Sequence, residues 1–312
     1  MKVLVLGGYG EVGARIVAQL RAAGDVAIAA GRDPARADRV VDLNEAGAES
    51  LRTALADTDV VINAAGVEDP ALASLITHHG SALVDITAST GYVAALERLD
   101  LPRPVLLSVG LAPGLTNLLA AAQHAATPGP IDIAILLGAG ERHGPAGIAW
   151  AYQLLGRRFR DSATGQRVRN YTQPQHFDLP GHGRRRLYRA DFSDQHILSR
   201  DLNVPVRTYL GLDSRPATAT LTTLTWVPGG SRAPQGLHLP GTDHWLVLAR
   251  GQDGTSRWAA GRVQSHATAV IAAIAARATA ELGPGVRHLH HVLDPSNVPP
   301  ERGIHLDAPG HP

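Results

Sequence analysis

Residues 3–13 read Val3-Leu4-Val5-Leu6-Gly7-Gly8-Tyr9-Gly10-Glu11-Val12-Gly13. An apolar, strand-like run ends in glycines spaced Gly-x-Gly-x-x-Gly through Gly8, Gly10 and Gly13, and an Ala-rich helical stretch follows directly. A strand that turns so abruptly into a helix needs glycine for three reasons: the turn is tight, the backbone must approach a pyrophosphate, and the helix must lie close to the strand. The helix N-terminus then presents free N–H groups to the phosphates. Glycine-rich turns also arise for purely steric reasons, so the context of this one carries its meaning.

Outward from that turn, short Val/Ile/Leu runs alternate with helical stretches. The strands are read as Val3-Leu6, Val26-Ala30, Val40-Leu43, Val60-Asn63, Ala82-Asp85 and Val105-Ser108. The helices are read as Glu11-Ala23, Ala46-Ala56, Pro70-His79 and Thr90-Leu99, with a further one opening at Pro113-Gly114. Such alternation predicts an α/β fold with a Rossmann-type doubly wound parallel sheet over residues 1–127. After Thr127-Pro128-Gly129-Pro130 the pattern changes to longer strand-like segments: Ile131-Leu137, Gln166-Tyr171, Thr218-Trp226, Trp245-Ala249 and Arg257-Gly261, with a helix at Ala146-Leu155. Residues 128–263 are therefore expected to form a second, α+β domain on a mixed or antiparallel sheet, for substrate binding or dimerisation. Residues 264–312 supply a last Ala-rich helix, Ser265 to Leu282, stopped by Gly283-Pro284-Gly285 and expected to pack back on the first domain. The Pro-, Gly- and His-rich tail from Val286 to Pro312 is expected to be ordered only where it crosses a neighbouring surface.

Composition narrows the chemistry. The 312 residues contain 29 Lys plus Arg, of which Lys2 is the single lysine, against 28 Asp plus Glu, and no Cys. A net charge of +1 gives no general attraction to nucleic acid or an anionic membrane, and neither partner is expected. Without Cys there are no disulfides, thiolate nucleophiles or Cys-bound zinc. The N-terminus lacks the pattern of a secretory signal and no apolar stretch reaches a membrane span, so a cytoplasmic protein is expected. His288-Leu289-His290-His291 has neither a carboxylate at suitable spacing nor a helical i, i+4 pair, and no metal site is read there.

The end of the second strand discriminates between nicotinamide cofactors. NAD enzymes usually place a carboxylate there, for the ribose hydroxyls. Here the stretch is Ala29-Ala30-Gly31-Arg32. Arg32 with Arg36 offers planar positive groups to a 2′-phosphate and the adenine face, so NADP is the expected cofactor. Asp33 reads as a cap before Pro34. Asp42 either lines the adenine side or starts a turn. Asn63-Ala64-Ala65-Gly66 ends the fourth strand on the usual ligand side of an open α/β sheet.

Taken together, Val3 to Gly13, Ala30-Gly-Arg-Asp33, Val61-Ile-Asn-Ala-Ala-Gly66, Leu83-Val-Asp-Ile-Thr87 and Gly110-Leu-Ala-Pro-Gly-Leu-Thr-Asn117 resemble the saccharopine dehydrogenase-like (saccharopine reductase-like) family of NAD(P)-binding oxidoreductases. The second domain matches that family only loosely, through Gly138-Ala-Gly140 and Gln264-Ser-His-Ala-Thr268. The resemblance implies hydride transfer at a carbon bearing nitrogen, as in opine-like reductive condensation, and frequent homodimers. It places Asp85 to Thr87 and Gly110, Pro113 and Gly114 around the nicotinamide, and Asn117 toward the substrate. For each there is a plain alternative, since a strand-end Asp often caps a turn and Pro-Gly often just opens a helix.

A catalytic lysine of the kind some members use is excluded, as is the Tyr-x-x-x-Lys pair of short-chain dehydrogenases. Proton transfer must then use Tyr, His, a carboxylate or water. The candidates are Asp85, His143, Tyr152 and His176. His143 alternatively is an exposed loop residue, and Tyr152 a core residue spaced with Ile148 and Leu155. The Arg157, Arg158, Arg160 and Arg184, Arg185, Arg186, Arg189 groups could pair with the carboxylate of a small substrate; strand neighbours alternate sides, so at most one or two can act together. The expected activity is an NADPH-dependent reduction of an imine or carbonyl in a small carboxylate/amine substrate bound between the domains. The alternative is a catalytically idle NADP-binding regulator or redox sensor.

Overall fold

A computed structural model describes residues 1–44, 48–87, 89–140, 151–230 and 241–307. The chain divides into two units, one of Met1–Gly114 with Thr268–Leu293, the other of Leu115–Ala267 with Asp294–Pro312. The helix read as opening at Pro113-Gly114 thus falls in the second unit. The late segment Thr268–Leu293 counts with the first.

In the first unit the strands are β1 (Lys2–Leu6), β2 (Val26–Gly31), β3 (Arg39–Val40), β4 (Val60–Asn63), β5 (Ala82–Asp85) and β6 (Pro104–Leu107). The helices are α1 (Glu11–Ala22), α2 (Glu49–Leu55), α3 (Pro70–His78) and α4 (Thr90–Leu96). Every pairing in the sheet is parallel, in the order β3-β2-β1-β4-β5-β6, and the strand Gly285–His288 extends it beyond β6. This is the doubly wound α/β arrangement, with the order reversing at β1. Val3, Leu4, Val5, Val61, Ile62, Leu83 and Leu106 are shut away from solvent, because a parallel sheet covered on both faces buries successive residues rather than alternate ones. α2 and α4 are shorter than the sequence expectation, and two further departures have causes in the backbone. β3 stops at Val40, because Asp42 turns the chain by accepting the Asn44 N–H at 3.0 Å. The segment after Gly283 is not an irregular tail: its backbone pairs with β6 from Gly285↔Pro104 to His288↔Leu107.

The second unit is built on a seven-stranded mixed sheet. Its central strand β7 (Ile131–Leu137) follows α5 (Thr116–Ala126), and a separate ribbon of β8 (Arg158–Arg160) and β9 (Arg167–Arg169) comes next. β10 (Thr172–Leu179), β11 (Gly183–Arg189), β12 (Val206–Leu212), β13 (His244–Gly251) and β14 (Ser256–Arg262) complete the sheet with the strand Ile304–Leu306. Only β12 with β7 is parallel; the other pairings are antiparallel. One face gathers Ala134, Leu136, Phe177, Leu187, Tyr209, Leu246 and Leu248 into a core, the alternation expected of strands with two unlike faces. Sequence reading missed the β10–β11 hairpin, β12, and the helix α6 (Ser193–Asp201).

One segment has the opposite conformation to its reading. Thr218-Trp226 looks like a strand by its Thr content, yet Arg215–Leu224 is the helix α7. Ser214 caps it by accepting the Ala217 N–H at 3.3 Å, and Pro216 occupies its first turn. The threonine hydroxyls turn inward on the helix, Thr218 to Ser214 O at 3.1 Å and Thr223 to Ala219 O at 3.0 Å. That back-bonding satisfies the hydroxyls without a strand. Of the helix read at Ala146-Leu155, residues 146–150 lie outside the described residues.

An ion pair is sealed in this unit. Arg189 Nη1 lies 2.7 Å from the Asp161 carboxylate, each side chain only 3% exposed. The same carboxylate accepts the N–H groups of Ala163 and Thr164, and Arg189 also donates to Gln195 Oε1 at 3.1 Å. Burial works against the charged carboxyl, but Arg189 and the Thr164 hydrogen bonds outweigh it and hold the pKa down at about 2. A depressed carboxyl stabilises the fold above its unfolded pKa and ceases to do so as pH falls through the folded value. Acid titration followed by near-ultraviolet circular dichroism should therefore show loss of this unit's packing between about pH 4 and pH 2, and Asp161→Asn should unfold about 3–5 kcal/mol more easily in urea by stranding Arg189.

Candidate functional site

The carboxyl ends of β1, β4, β5 and β6 form one edge of the first unit's sheet, and ligands of open α/β sheets bind at that edge. The turn between β1 and α1 shows why glycine stands there. Gly7 has φ +74, and a Cβ on it would lie 2.7 Å from Ala64 O. A Cβ on Gly8 would come within 2.6 Å of the Ala29 Cα, and one on Gly13 would collide with Gly7 O. All three obstacles are backbone, so no side-chain movement could make room. Gly10 closes the turn by donating its N–H to Gly7 O at 2.9 Å and opens α1 without a side-chain cap. The first-turn N–H groups of Glu11, Val12 and Gly13 have no intrahelical acceptor, as at any helix start. An uncapped helix end behind a glycine cradle fits a diphosphate.

At the end of β2, Tyr9 lies across Gly31, where any side chain would strike its ring. Its hydroxyl accepts the Asp33 N–H at 3.1 Å. Arg36 stacks over the same ring, 4.5 Å from its centroid, and donates to Tyr9 O at 2.9 Å. Arg36 is therefore committed to the turn, whereas Arg32 is exposed and no described hydrogen bond or ion pair engages it. Of the two, Arg32 is the guanidinium that could hold an additional phosphate. Asp33 accepts the Ala35 N–H at 3.0 Å, and Asp42 likewise serves its own turn, so both carboxylates are occupied by local backbone.

Further along the edge is a buried polar network. Asn63 Nδ2 donates to Asp85 Oδ2 at 2.9 Å and to Val67 O at 2.9 Å, while its Oδ1 accepts the Ala65 N–H at 3.3 Å. Asp85 also accepts the Tyr92 hydroxyl at 2.9 Å and the Thr87 N–H at 2.8 Å. Burial raises the Asp85 carboxyl above the usual carboxylate range, partly offset by these donors. Tyr92, buried beside that carboxyl, is pushed upward too and stays a phenol that donates. Ala64 and Gly66, with φ +69 at Gly66, carry the chain around this edge, and Ala64 N–H donates to Leu6 O at 3.0 Å. Gly110 and Gly114 pack tightly beside β6: a Cβ on Gly110 would be 3.2 Å from Pro113 O, and one on Gly114 3.2 Å from Ser108 O. The peptide before Pro113 is cis.

In the second unit, Asn117 is fully buried in the first turn of α5, and the half-buried Tyr152 and exposed His176 lie elsewhere in that unit. His143 lies outside the described residues. Among the arginines, Arg189 is held by Asp161 and Arg185 donates to the carbonyls of Leu212 and Asp213 at 2.8 and 2.6 Å. Arg157, Arg158, Arg160, Arg184 and Arg186 are exposed. Glu97 and Ser108 escaped the sequence reading, and His288 was weighed there only as a metal ligand. His288 Nδ1 is 2.9 Å from Ser108 Oγ and its Nε2 is 2.7 Å from Glu97 Oε1. They are 180 and 191 positions apart, and no local spacing signals the contact.

Residues 2–89 match the family model described as NADP oxidoreductase, coenzyme F420-dependent. No curated protein sequence matches the chain. Among solved structures, apo saccharopine dehydrogenase (L-Glu forming) from Saccharomyces cerevisiae aligns over 95% of both chains with TM-score 0.59 at 14% identity. DAP dehydrogenase from C. glutamicum, in complex with DAP, aligns over 96% of both with TM-score 0.53 at 13% identity. An engineered D-amino acid dehydrogenase bound to NADP+ aligns over 96% of both with TM-score 0.50 at 14% identity. The chain thus shares its fold with these solved structures over nearly its whole length. Among the described residues no helix is long and apolar enough to cross a membrane.

The Asp85 network yields a direct check: Tyr92→Phe deletes one of three donors to a buried carboxylate and should lower stability by about 1 kcal/mol in denaturant titration, while Gly13→Ala, which has backbone in its way, should cost about 1–3 kcal/mol.

Proposed function

We propose that the chain is an NADPH-dependent oxidoreductase that reduces an imine or carbonyl carbon of a small amine- and carboxylate-bearing substrate. The observation that carries this reading is the pairing of an uncapped α1 behind a cradle that admits only glycine with an unengaged Arg32 one strand away. The first recognises a diphosphate, and the second distinguishes NADPH from NADH by its additional phosphate. When bound, the dinucleotide supplies a hydride. The chain's own residues hold the phosphates through backbone N–H groups of Gly8 to Gly13 and set the ribose side through Arg32. Asp85, Asn63 and Thr87 shape the edge farther along the sheet, and Asp85 acts there by fixing backbone and amide positions. Support for nitrogen-bearing substrates comes from the shared fold: the neighbours named above include saccharopine, DAP and D-amino acid dehydrogenases.

The cofactor and the chemistry can be examined separately. Arg32→Ala should weaken NADPH by about 1–3 kcal/mol in titration calorimetry while leaving NADH nearly unchanged, as expected for removal of a charged hydrogen bond. Equal losses for both would overturn the assignment. NADPH oxidation should appear in a panel combining keto acids with amines and amino acids. Tight NADPH binding with no oxidation across that panel would instead identify a regulator that senses the cofactor.

A further inference from the structure

Reduction of an imine takes up one proton for every hydride, and the chain's single lysine, Lys2, leads β1 at the strand end opposite the ligand edge, so the proton must come by another route. At that edge, one residue past the end of β6, stands Ser108. Its backbone has φ +55, the left-handed region that costs a serine energy and a glycine nothing. The Ser108 side chain is buried, and its Oγ meets His288 Nδ1 at 2.9 Å. His288 is buried as well, at the end of the strand that lengthens the sheet beyond β6, and its Nε2 meets Glu97 Oε1 at 2.7 Å. Glu97 sits at the C-terminus of α4, where a carboxylate opposes the helix dipole, and its side chain is 22% exposed. Two neighbouring segments, at Glu97 and Ser108, and a third far along the chain, at His288, thus form one hydrogen-bonded line that runs from the ligand edge of the sheet to water.

We propose that Glu97, His288 and Ser108 form a proton path serving the reductive reaction, with His288 as its titrating member and Ser108 as its inner terminus. This rests on the function proposed above. In the reduction, a hydride forms the new C–H bond and the C=N π pair moves onto nitrogen. Nitrogen takes the Ser108 hydroxyl proton as Ser108 Oγ receives the Nδ1 proton of the His288 imidazolium. The neutral imidazole that remains keeps its Nε2–H on the Glu97 carboxylate. It is recharged from water after product leaves, so one hydride and one proton are consumed in each turnover. The Glu97 carboxylate stabilises the charged imidazolium relative to the neutral ring. His290 and His291 flank the ring at centroid distances of 5.9 and 5.6 Å, and the His291 Nδ1 accepts the His288 N–H at 3.3 Å. They are the other titratable rings against His288, and each opposes its protonation when charged.

A purely structural role for His288, stitching the last strand to the sheet, would satisfy the same contacts, so the test must read protonation. The pKa of His288 is measured by nitrogen-15 NMR of the cofactor-free protein, wild type and Glu97→Gln. It is compared with the alkaline limb of the kcat/KM profile for NADPH-dependent reduction. Glu97→Gln keeps the shape and an acceptor but loses the charge, and should move the NMR pKa and the kinetic limb to lower pH by the same amount. Ser108→Gly, which relieves the backbone strain and removes the CH2OH group with its hydroxyl, should lower kcat at least 10-fold with KM for NADPH within twofold of wild type. His288→Gln should abolish the alkaline limb. A limb that stays in place while the NMR pKa moves overturns the path, as does a His288 that does not titrate between pH 5 and 9, or full activity in Ser108→Gly; each leaves the proposed function standing if wild type turns over. Failure of wild type itself to oxidise NADPH across the substrate panel overturns both.

Discussion

Everything at the ligand edge depends on how closely the turn after β1 approaches its neighbours' backbones. Gly7 lies against Ala64, Gly8 against Ala29, and Gly13 against Gly7 itself, each at a distance no Cβ could share. The consequence reaches beyond sterics. With α1 drawn down onto the sheet, its uncapped N–H groups and the strand ends of β4 and β5 come to one line, and that line presents donors to a polyanion. Tyr9 extends the arrangement sideways, since its ring, its hydroxyl and its carbonyl fix Gly31, Asp33 and Arg36 respectively.

Buried carboxylates in both units are held by several donors each. Asp85 holds three donors, Asp194 accepts the hydroxyls of Thr208 at 2.7 Å and Thr116 at 3.0 Å, and Asp161 holds Arg189. A half-satisfied carboxylate at such sites would cost more than an apolar core. Asp194 is fully buried with its carboxyl pushed upward by that burial, and its hydroxyl partners come from α5 and β12. It joins a helix to a strand within one unit, a structural task rather than a chemical one. The chain of Glu97, His288 and Ser108 differs from these in having one end near water and the other at the ligand edge, and that asymmetry makes it a route as well as a clasp.

Much of the first unit could be read from residue order, because its signals are local. A strand run, three spaced glycines and an Ala-rich helix are read within 20 positions, and strands β1, β4 and β5 fall where their apolar runs are. Arg32 at the end of β2 was equally legible, since strand ends of this fold have fixed places. The second unit was less so. Thr-rich α7 was mistaken for a strand because Thr favours strands by packing, whereas here a Ser cap and inward hydroxyls decide. The β10–β11 hairpin went unseen because its Arg-rich edge lacks a clear apolar alternation.

The order of residues alone determined the parallel α/β sheet, the glycine cradle and the cationic residue at its rim, since each follows from spacing within a few residues of chain. Only the tertiary structure decided which distant groups meet: that Asp85 faces Asn63 and Tyr92, that Arg36 turns back on Tyr9 while Arg32 does not, and that His288 reaches Glu97 and Ser108 from 180 residues or more away. Strand order brings such groups together, and strand order is set by burial summed over the whole sheet, a quantity that no short window of sequence contains.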